Sequence, residues 1–228
     1  MKLSEKTFNI LKNFSNINSG IQFKAESSVL RTISPHKNIL AKSVVDDVFP
    51  VDFCIYDLGE FLAVVNLHKE DCALAFDNKN AIIYGLSGRS KIKYRGCEPN
   101  MIVIPPEKEL VLPQPEINIT LSDTDFRWIS KISNILGSPN ISIVSDGNMV
   151  SIDTVDVSND SSHTESLELM YGNGDTYTMM FKTENILKML PGNYNVNISS
   201  KGIGLFTNTD IELEYFITTE IGSVYTSN

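Results

Sequence analysis

The chain is poor in almost everything that marks catalysis. Its 228 residues include three histidines, His36, His68 and His163, and three cysteines, Cys54, Cys72 and Cys97. None falls in a CxxC pair, a zinc-ligand spacing or a triad pattern, so metal and nucleophilic chemistry have no anchor. An odd number of widely spaced cysteines argues for reduced, packed thiols and against a disulfide framework. No P-loop stretch is present, so nucleotide hydrolysis has no phosphate cradle. The Gly-x-Gly of "KGIGLF" lacks the third glycine and the following helix of a dinucleotide fingerprint. The carboxylates of "VVDDVFPVD" and "SDTDF" read as turn and cap residues. The expectation is a protein that is not an enzyme and needs no cofactor or metal.

Long apolar runs are absent as well. No window approaches the roughly 20 consecutive apolar residues of a membrane span, and "MKLSEKTFNI" lacks the apolar segment of a secretory signal. A cytoplasmic chain with no membrane partner is expected. Positive charge is in deficit: 19 Lys and Arg stand against 28 Asp and Glu, a net charge of −9. That balance excludes indiscriminate wrapping of nucleic acid, which clustered cations drive, but leaves room for a local basic face. With 42% apolar and 21% charged residues the composition is otherwise that of a globular protein.

What the sequence does contain is a repeat. "LSEKTFNILKNFSNINSG" at 3–20 returns in altered form as "LSDTDFRWISKISNILGS" at 121–138. In the first copy Phe8, Leu11 and Phe14, with Ile10 and Ile17 beside them, form one stripe of a helix capped by Ser4 and stopped by Gly20. Lys2, Glu5, Asn9, Lys12, Asn13 and Asn16 fall opposite. In the second, Ser122 caps a helix with Phe126, Ile129, Ile132 and Leu136 on the stripe and Trp128 and Ile135 at its edge. Arg127, Ser130, Lys131 and Asn134 lie opposite, with Arg127 and Lys131 one turn apart on one exposed face.

Short Val/Ile-rich runs follow each of these helices. "CALAFDNKNAIIYG", "ISIVSDGNMVSIDTV" and "ESLELMYGNGDTYTMMFK" read as hairpins, the last two turning on Asp146-Gly147 and Asn173-Gly174. Asp57 caps a second helix, "LGEFLAVVNL", with Leu58, Phe61, Leu62 and Val65 on its stripe. Thr183 caps "ENILKML", with Ile186, Leu187 and Leu190 on one stripe, ended by Pro191-Gly192. Residues 105–116, "PPEKELVLPQPE", hold four of the nine prolines and read as an extended connector. The order helix, strands, helix, strands, stated twice, is an α+β chain of two similar domains. The expected boundaries are 1–104 and 117–228, with the connector 105–116 between them.

These residues resemble a family. "MKLSEKTFNILKNFSNINSG", with its "LKNF" and "INSGI" pattern, is similar to the start of the T-even-type bacteriophage sliding clamp, the processivity factor of the phage replicative DNA polymerase. "YDLGEFLAVVNL" resembles that family's second helix, and "PGNYNV" at 191–196 the segment after its fourth. The similarity runs in order through nearly the whole chain and thins in 86–100, 155–164 and the C-terminal tail.

The resemblance implies a DNA-clamp fold: two similar domains, each with two helices packed on antiparallel sheet, in a head-to-tail homotrimeric ring around double-stranded DNA. It implies Lys12, Arg127 and Lys131 as residues facing DNA, with Lys2, Lys6 and Lys188 as further candidates. It also implies an outer site for the C-terminal peptide of the replicative DNA polymerase, bordered by Leu110, Val111 and Leu112, docking of other replication and late-transcription proteins, and an ATP-dependent clamp loader. Edge strands are expected to close the ring: "MIVIP" at 101–105, with Ile102, Val103 and Ile104, and "ESLELMY" at 165–171, with Leu167 and Leu169. The place of action implied is the cytoplasm of the infected bacterial host. The competing readings are a β-rich phage structural or binding module without a DNA role, and a hydrolase using paired carboxylates, for which no motif exists.

Overall fold

The computed structural model describes residues 1–68, 71–159 and 161–227. The chain divides into two compact units, Met1–Lys108 and Glu109–Asn228.

Unit 1 begins with α1 (Glu5–Ser15). Ser4 is extended and its Oγ accepts the Thr7 amide at 3.2 Å, satisfying one orphan donor of the first turn. The helix is over by Asn16, short of Gly20. Its buried side is Thr7, Ile10, Leu11, Asn13 and Phe14, so Asn13, expected on the polar side, is inside, while Phe8 is only half-buried. The strands β1 (Ile21–Phe23), β2 (Val29–Ile33), β3 (Ile39–Val44) and β4 (Phe53–Ile55) follow. β1 pairs with β4 and β2 with β3, all antiparallel.

Asp57 caps α2 (Leu58–Leu67), its Oδ1 accepting the Glu60 amide at 2.9 Å. Leu58, Phe61, Leu62 and Val65 are buried, as the stripe predicts. Then β5 (Ala73–Phe76), β6 (Asn80–Gly85) and β7 (Ser90–Arg95) form an antiparallel sheet in that order, with β5 and β6 joined as the expected hairpin. The unit's core is aromatic: Phe23 stacks on Phe49 with centroids 3.9 Å apart, and Phe76 presents its edge to both and to Phe53.

The expected edge strand at 101–105 is not a strand. Pro99–Met101 make a single 3-10 turn, and residues 102–106 pair with no neighbour in a ladder. The reason is local packing. Asn18 donates its side-chain amide to the carbonyls of Val103 and Ile33, at 2.8 and 2.9 Å, which ties residue 103 to the end of β2. A Cβ at Gly20 would lie 2.6 Å from Ile102 Cγ2, so the absent side chain is what lets Ile102 close over the turn after α1. Pro105 and Pro106 have no N–H to offer a partner strand.

Unit 2 contains β8 (Ile117–Leu121), α3 (Asp123–Leu136), β9 (Asn140–Asp146), β10 (Met149–Val155), β11 (Ser166–Tyr171), β12 (Thr176–Lys182), α4 (Thr183–Ile186), β13 (Tyr194–Ser199), β14 (Ile203–Asn208), β15 (Leu213–Thr218) and β16 (Val224–Thr226). β8 pairs with β13, β13 with β14 and β14 with β15; the second sheet runs β11-β10-β9-β12-β16. Ser122 caps α3 by accepting the Asp125 amide at 3.1 Å, and Gly137, at φ 66°, ends it. Only Phe126, Ile129 and Ser133 of α3 are buried; Ile132 and Leu136 are half-buried.

Two further expectations fail here. Asn173-Gly174 does not join a hairpin, because β12 pairs with β9 along seven residues and leaves β11 on the far side of β10. An Asn-Gly turn signals a local reversal and cannot specify which strand the chain joins afterwards. The fourth helix is a single turn of four residues. Thr183 lies inside it and gives no cap; its Oγ1 is buried without a partner, and Ile186 and Met189 carry the buried side.

The two units repeat one pairing scheme. β1–β4 corresponds to β9–β12, β2–β3 to β10–β11, and β5-β6-β7 to β13-β14-β15. Even β8, which pairs with β13, has a counterpart: Met1 and Leu74 exchange backbone hydrogen bonds of 2.6 and 2.7 Å. The fold is α+β, a helix–sheet module built twice.

Candidate nucleic-acid interface

Each module offers one long helix with an open polar side. On α1 that side is Glu5, Asn9, Lys12 and Asn16, all exposed. Lys12 lies in the last turn, where a cation complements the negative end of the helix dipole. Lys2 is exposed in the segment before the helix. Lys6 is half-buried, with its Nζ 3.4 Å from Asp46 Oδ1, so it points along the body of the unit rather than away from it. Beside α1 an open cleft of about 580 Å³ runs to α2, lined among others by Phe8, Lys12, Val65 and Cys72. Phe8 misses full burial because it forms this wall.

On α3 the exposed residues include Arg127, Lys131 and Asn134, with Ser130 half-buried beside them. Arg127 Nε lies 2.7 Å from Asp123 Oδ2, one turn back, which orients the guanidinium and offsets part of its charge. Lys131 follows one turn on. Trp128 and Ile135 are also exposed, at 47% and 68%, and the Trp128 indole donates to Glu165 Oε1 at 3.1 Å. Lys188 sits in the turn after α4, half-buried. The exposed residues of α2 are Gly59, Glu60, Ala63, Asn66 and Leu67, none of them cationic. The cations on helices thus come from the first helix of each module.

In the connector, Leu110 and Val111 are exposed, at 40% and 77%, and Leu112 is half-buried. β11 is an edge strand with Leu167 and Leu169 half-buried. β7 is an edge strand too, with Ser90, Ile92 and Tyr94 half-buried and Lys91, Lys93 and Arg95 exposed. Tyr94 anchors it: its hydroxyl donates to the Asp57 carbonyl at 3.0 Å and lies 3.3 Å from Glu60 Oε2, and burial together with Glu60 pushes the phenol up to about 12. The β7 row is the feature that the sequence reading above does not use, although Lys91, Lys93 and Arg95 alternate with Ile92 and Tyr94 at strand period. A charge count would find it: residues 78–97 contain five Lys or Arg and no carboxylate.

The rest of the titratable chemistry is quiet. Burial pushes all three thiols above their ordinary range, so they are protonated at neutral pH. Asp146 is held low because the amides of Met149 and Asn148 donate to it in the β9–β10 turn, and Glu116 is held low by the Ser200 amide. Among the described residues no group of three or more His, Cys, Asp or Glu is arranged to hold a metal ion, and no helix is long and apolar enough to cross a membrane.

A profile of the family described as DNA polymerase processivity factor matches residues 2–104. The sliding clamp of Vibrio phage KVP40 is 31% identical over 225 residues, covering 96% of this chain and 99% of that one. The sliding clamp of Enterobacteria phage T4 is 29% identical over 206 residues, 89% of each chain. In three dimensions the chain is similar to the proliferating cellular nuclear antigen of Thermococcus kodakaraensis, with a TM-score of 0.67 and 13% identity over 94% of this chain and 96% of that one. A likeness at that identity speaks for the fold; the phage relatives speak for descent, and the chain belongs to the DNA polymerase processivity factors, the sliding clamps of T4-type phages.

Proposed function

We propose that this chain is a non-catalytic clamp that closes head to tail into a homotrimeric ring, encircles duplex DNA without reading sequence, and tethers the replicative DNA polymerase. The observation that carries the reading is the identity to a curated sliding clamp along nearly the whole of both chains. The module built twice supports it, since three chains then supply six similar units around one duplex. The competing reading, a β-rich structural module without a DNA role, leaves that match unexplained.

In this reading Lys12, Arg127 and Lys131 face phosphate, with Lys2 beside them. Lys6 and Lys188, both half-buried, contribute less. Weak contact suits a ring that must slide, because topological linkage holds it on DNA while a net charge of −9 keeps it from adhering. The polymerase C-terminal peptide docks at the border formed by Leu110, Val111 and Leu112, and an ATP-dependent loader opens the ring. Subunits join by main-chain pairing of unpartnered edges, which leaves no edge to aggregate. β11 with Leu167 and Leu169 is one such edge. Residues 102–104 form no strand, and in this reading the complementary edge in unit 1 is β7, an end strand of its sheet with an exposed cationic row.

The test is native mass at near-physiological salt, followed by retention on nicked circular DNA. The expected result is a species of three times the chain mass that stays on circular DNA and runs off once the circle is cut. A ring-sized species lost equally fast from circular and linear DNA would refute encirclement.

A further inference from the structure

Two short segments carry opposite and unmixed charge. Residues 78–97 hold five Lys or Arg with no carboxylate, and residues 153–171 hold five carboxylates with no Lys or Arg. In a chain of net charge −9 the first is a marked exception. Each segment contains an edge strand of six residues, β7 in unit 1 and β11 in unit 2. Lys91, Lys93 and Arg95 stand exposed on one face of β7, and among the described residues the ion pairs of unit 1, Lys6–Asp46 and Lys24–Asp52, do not use them.

We infer that these two edges meet between copies of this chain in one register, clasped by charge, so that ring closure is governed by ionic strength. This rests on the ring reading above and adds what selects and regulates the contact. Laid antiparallel with full overlap, β7 and β11 place Lys93 opposite Glu168, Tyr94 opposite Leu167 and Arg95 opposite Ser166. Over these three pairs the exposed residues share one face, and half-buried Tyr94 and Leu167 share the other. Ser166 Oγ donates to Asp153 Oδ1 at 2.6 Å, so an arginine opposite Ser166 meets a second carboxylate one strand further in. A slip of one residue sets Lys93 against a leucine and exposes Ile92, which makes the register self-correcting. The pairing with β10 shifts register next to Glu168, so the regular run available to a partner is Ser166–Glu168, the part that carries these three pairs.

Directly opposed unlike charges stabilise a strand pair and like charges destabilise it, and exposed pairs are screened by salt. The experiment is native mass across a dilution series at low and high salt, for the wild type, Lys93→Glu, Glu168→Lys and the chain carrying both changes. Both side chains are exposed, and circular dichroism of each variant confirms folding. The expected result is that each single reversal raises the concentration at which the trimer dissociates by about tenfold or more, since every interface in the ring is affected. The double reversal returns it to within about threefold of wild type, and wild type itself dissociates more readily at high salt. Trimers unaffected by either single reversal would overturn the clasp while leaving the ring standing. If Lys93→Glu leaves the trimer intact but shortens retention on circular DNA, the row meets phosphate and the inference is wrong. A wild type that is monomeric at every concentration and salt overturns the ring reading itself.

Discussion

Replacing Arg127 and Lys131 together with alanine removes two exposed cations from α3 without touching its buried residues Phe126, Ile129 and Ser133. Alanine is the best helix former, so the helix persists. Loss of the Arg127–Asp123 pair, with side chains 61% and 38% exposed, costs at most about 1 kcal/mol of stability. The consequence for DNA is larger. Each phosphate neutralised contributes about 0.9 to the slope of log affinity against log salt. Two side chains from each of three subunits bound the loss at about five slope units, and contact by a third of them at any instant leaves about two. The assay is the lifetime of loaded rings on nicked circular DNA as a function of salt, with native mass measured in parallel. The expected outcome is a shallower salt dependence, by about two slope units, with the trimer intact. Asp123→Asn is the counter-variant: it removes the carboxylate 2.7 Å from Arg127 Nε and lengthens the lifetime. A double-alanine ring that keeps the wild-type slope would show that α3 does not face the DNA.

Four other outcomes are expected. Val111→Asp, at a residue 77% exposed, leaves thermal stability unchanged but weakens binding of the polymerase C-terminal peptide about tenfold or more, measured by calorimetry. Asp57→Ala removes the cap on the Glu60 amide and lowers stability by about 1 kcal/mol, read as a melting shift of a few degrees. Gly20→Ala drives a methyl into Ile102 and costs about 1–3 kcal/mol. Adding Ile102→Gly removes both crowding atoms, Cγ2 at 2.6 Å and Cβ at 2.8 Å, so a denaturant double-mutant cycle gives a double variant more stable than the two separate losses predict. Glu116 is held low in the folded state by the Ser200 amide, so its contribution is present above the unfolded value and is lost as pH falls through the folded one. Denaturant melts of Glu116→Gln therefore show a deficit at neutral pH that shrinks in acid.

The local decisions were legible in the sequence because they are made within a few residues. A cap needs an oxygen three positions from an amide, and Ser4, Asp57 and Ser122 each supply one. The stripe of α2 and the hairpins at 77–80 and 146–147 likewise follow from adjacent residues. The repeat, and with it the α+β class, was visible because one module written twice leaves two copies of the same local signals.

What the tertiary structure decided are the matters that depend on distant partners. Asn13 and Ser133 are buried on faces where apolar neighbours surround them, while Phe8, Trp128 and Ile135 stay accessible despite their chemistry. Polarity alone does not record which side of a helix another element covers. "MIVIP" has the composition of a strand, yet Asn18 and Gly20, more than 80 positions earlier, hold it as an irregular segment. β11 became an edge only because β12 crossed to pair with β9. The basic row of β7 lies at the rim of a sheet, a position that only the strand order reveals. Sequence determines the preferences of each segment; the contacts that rank those preferences are made between residues far apart in the chain, and only the folded molecule contains them.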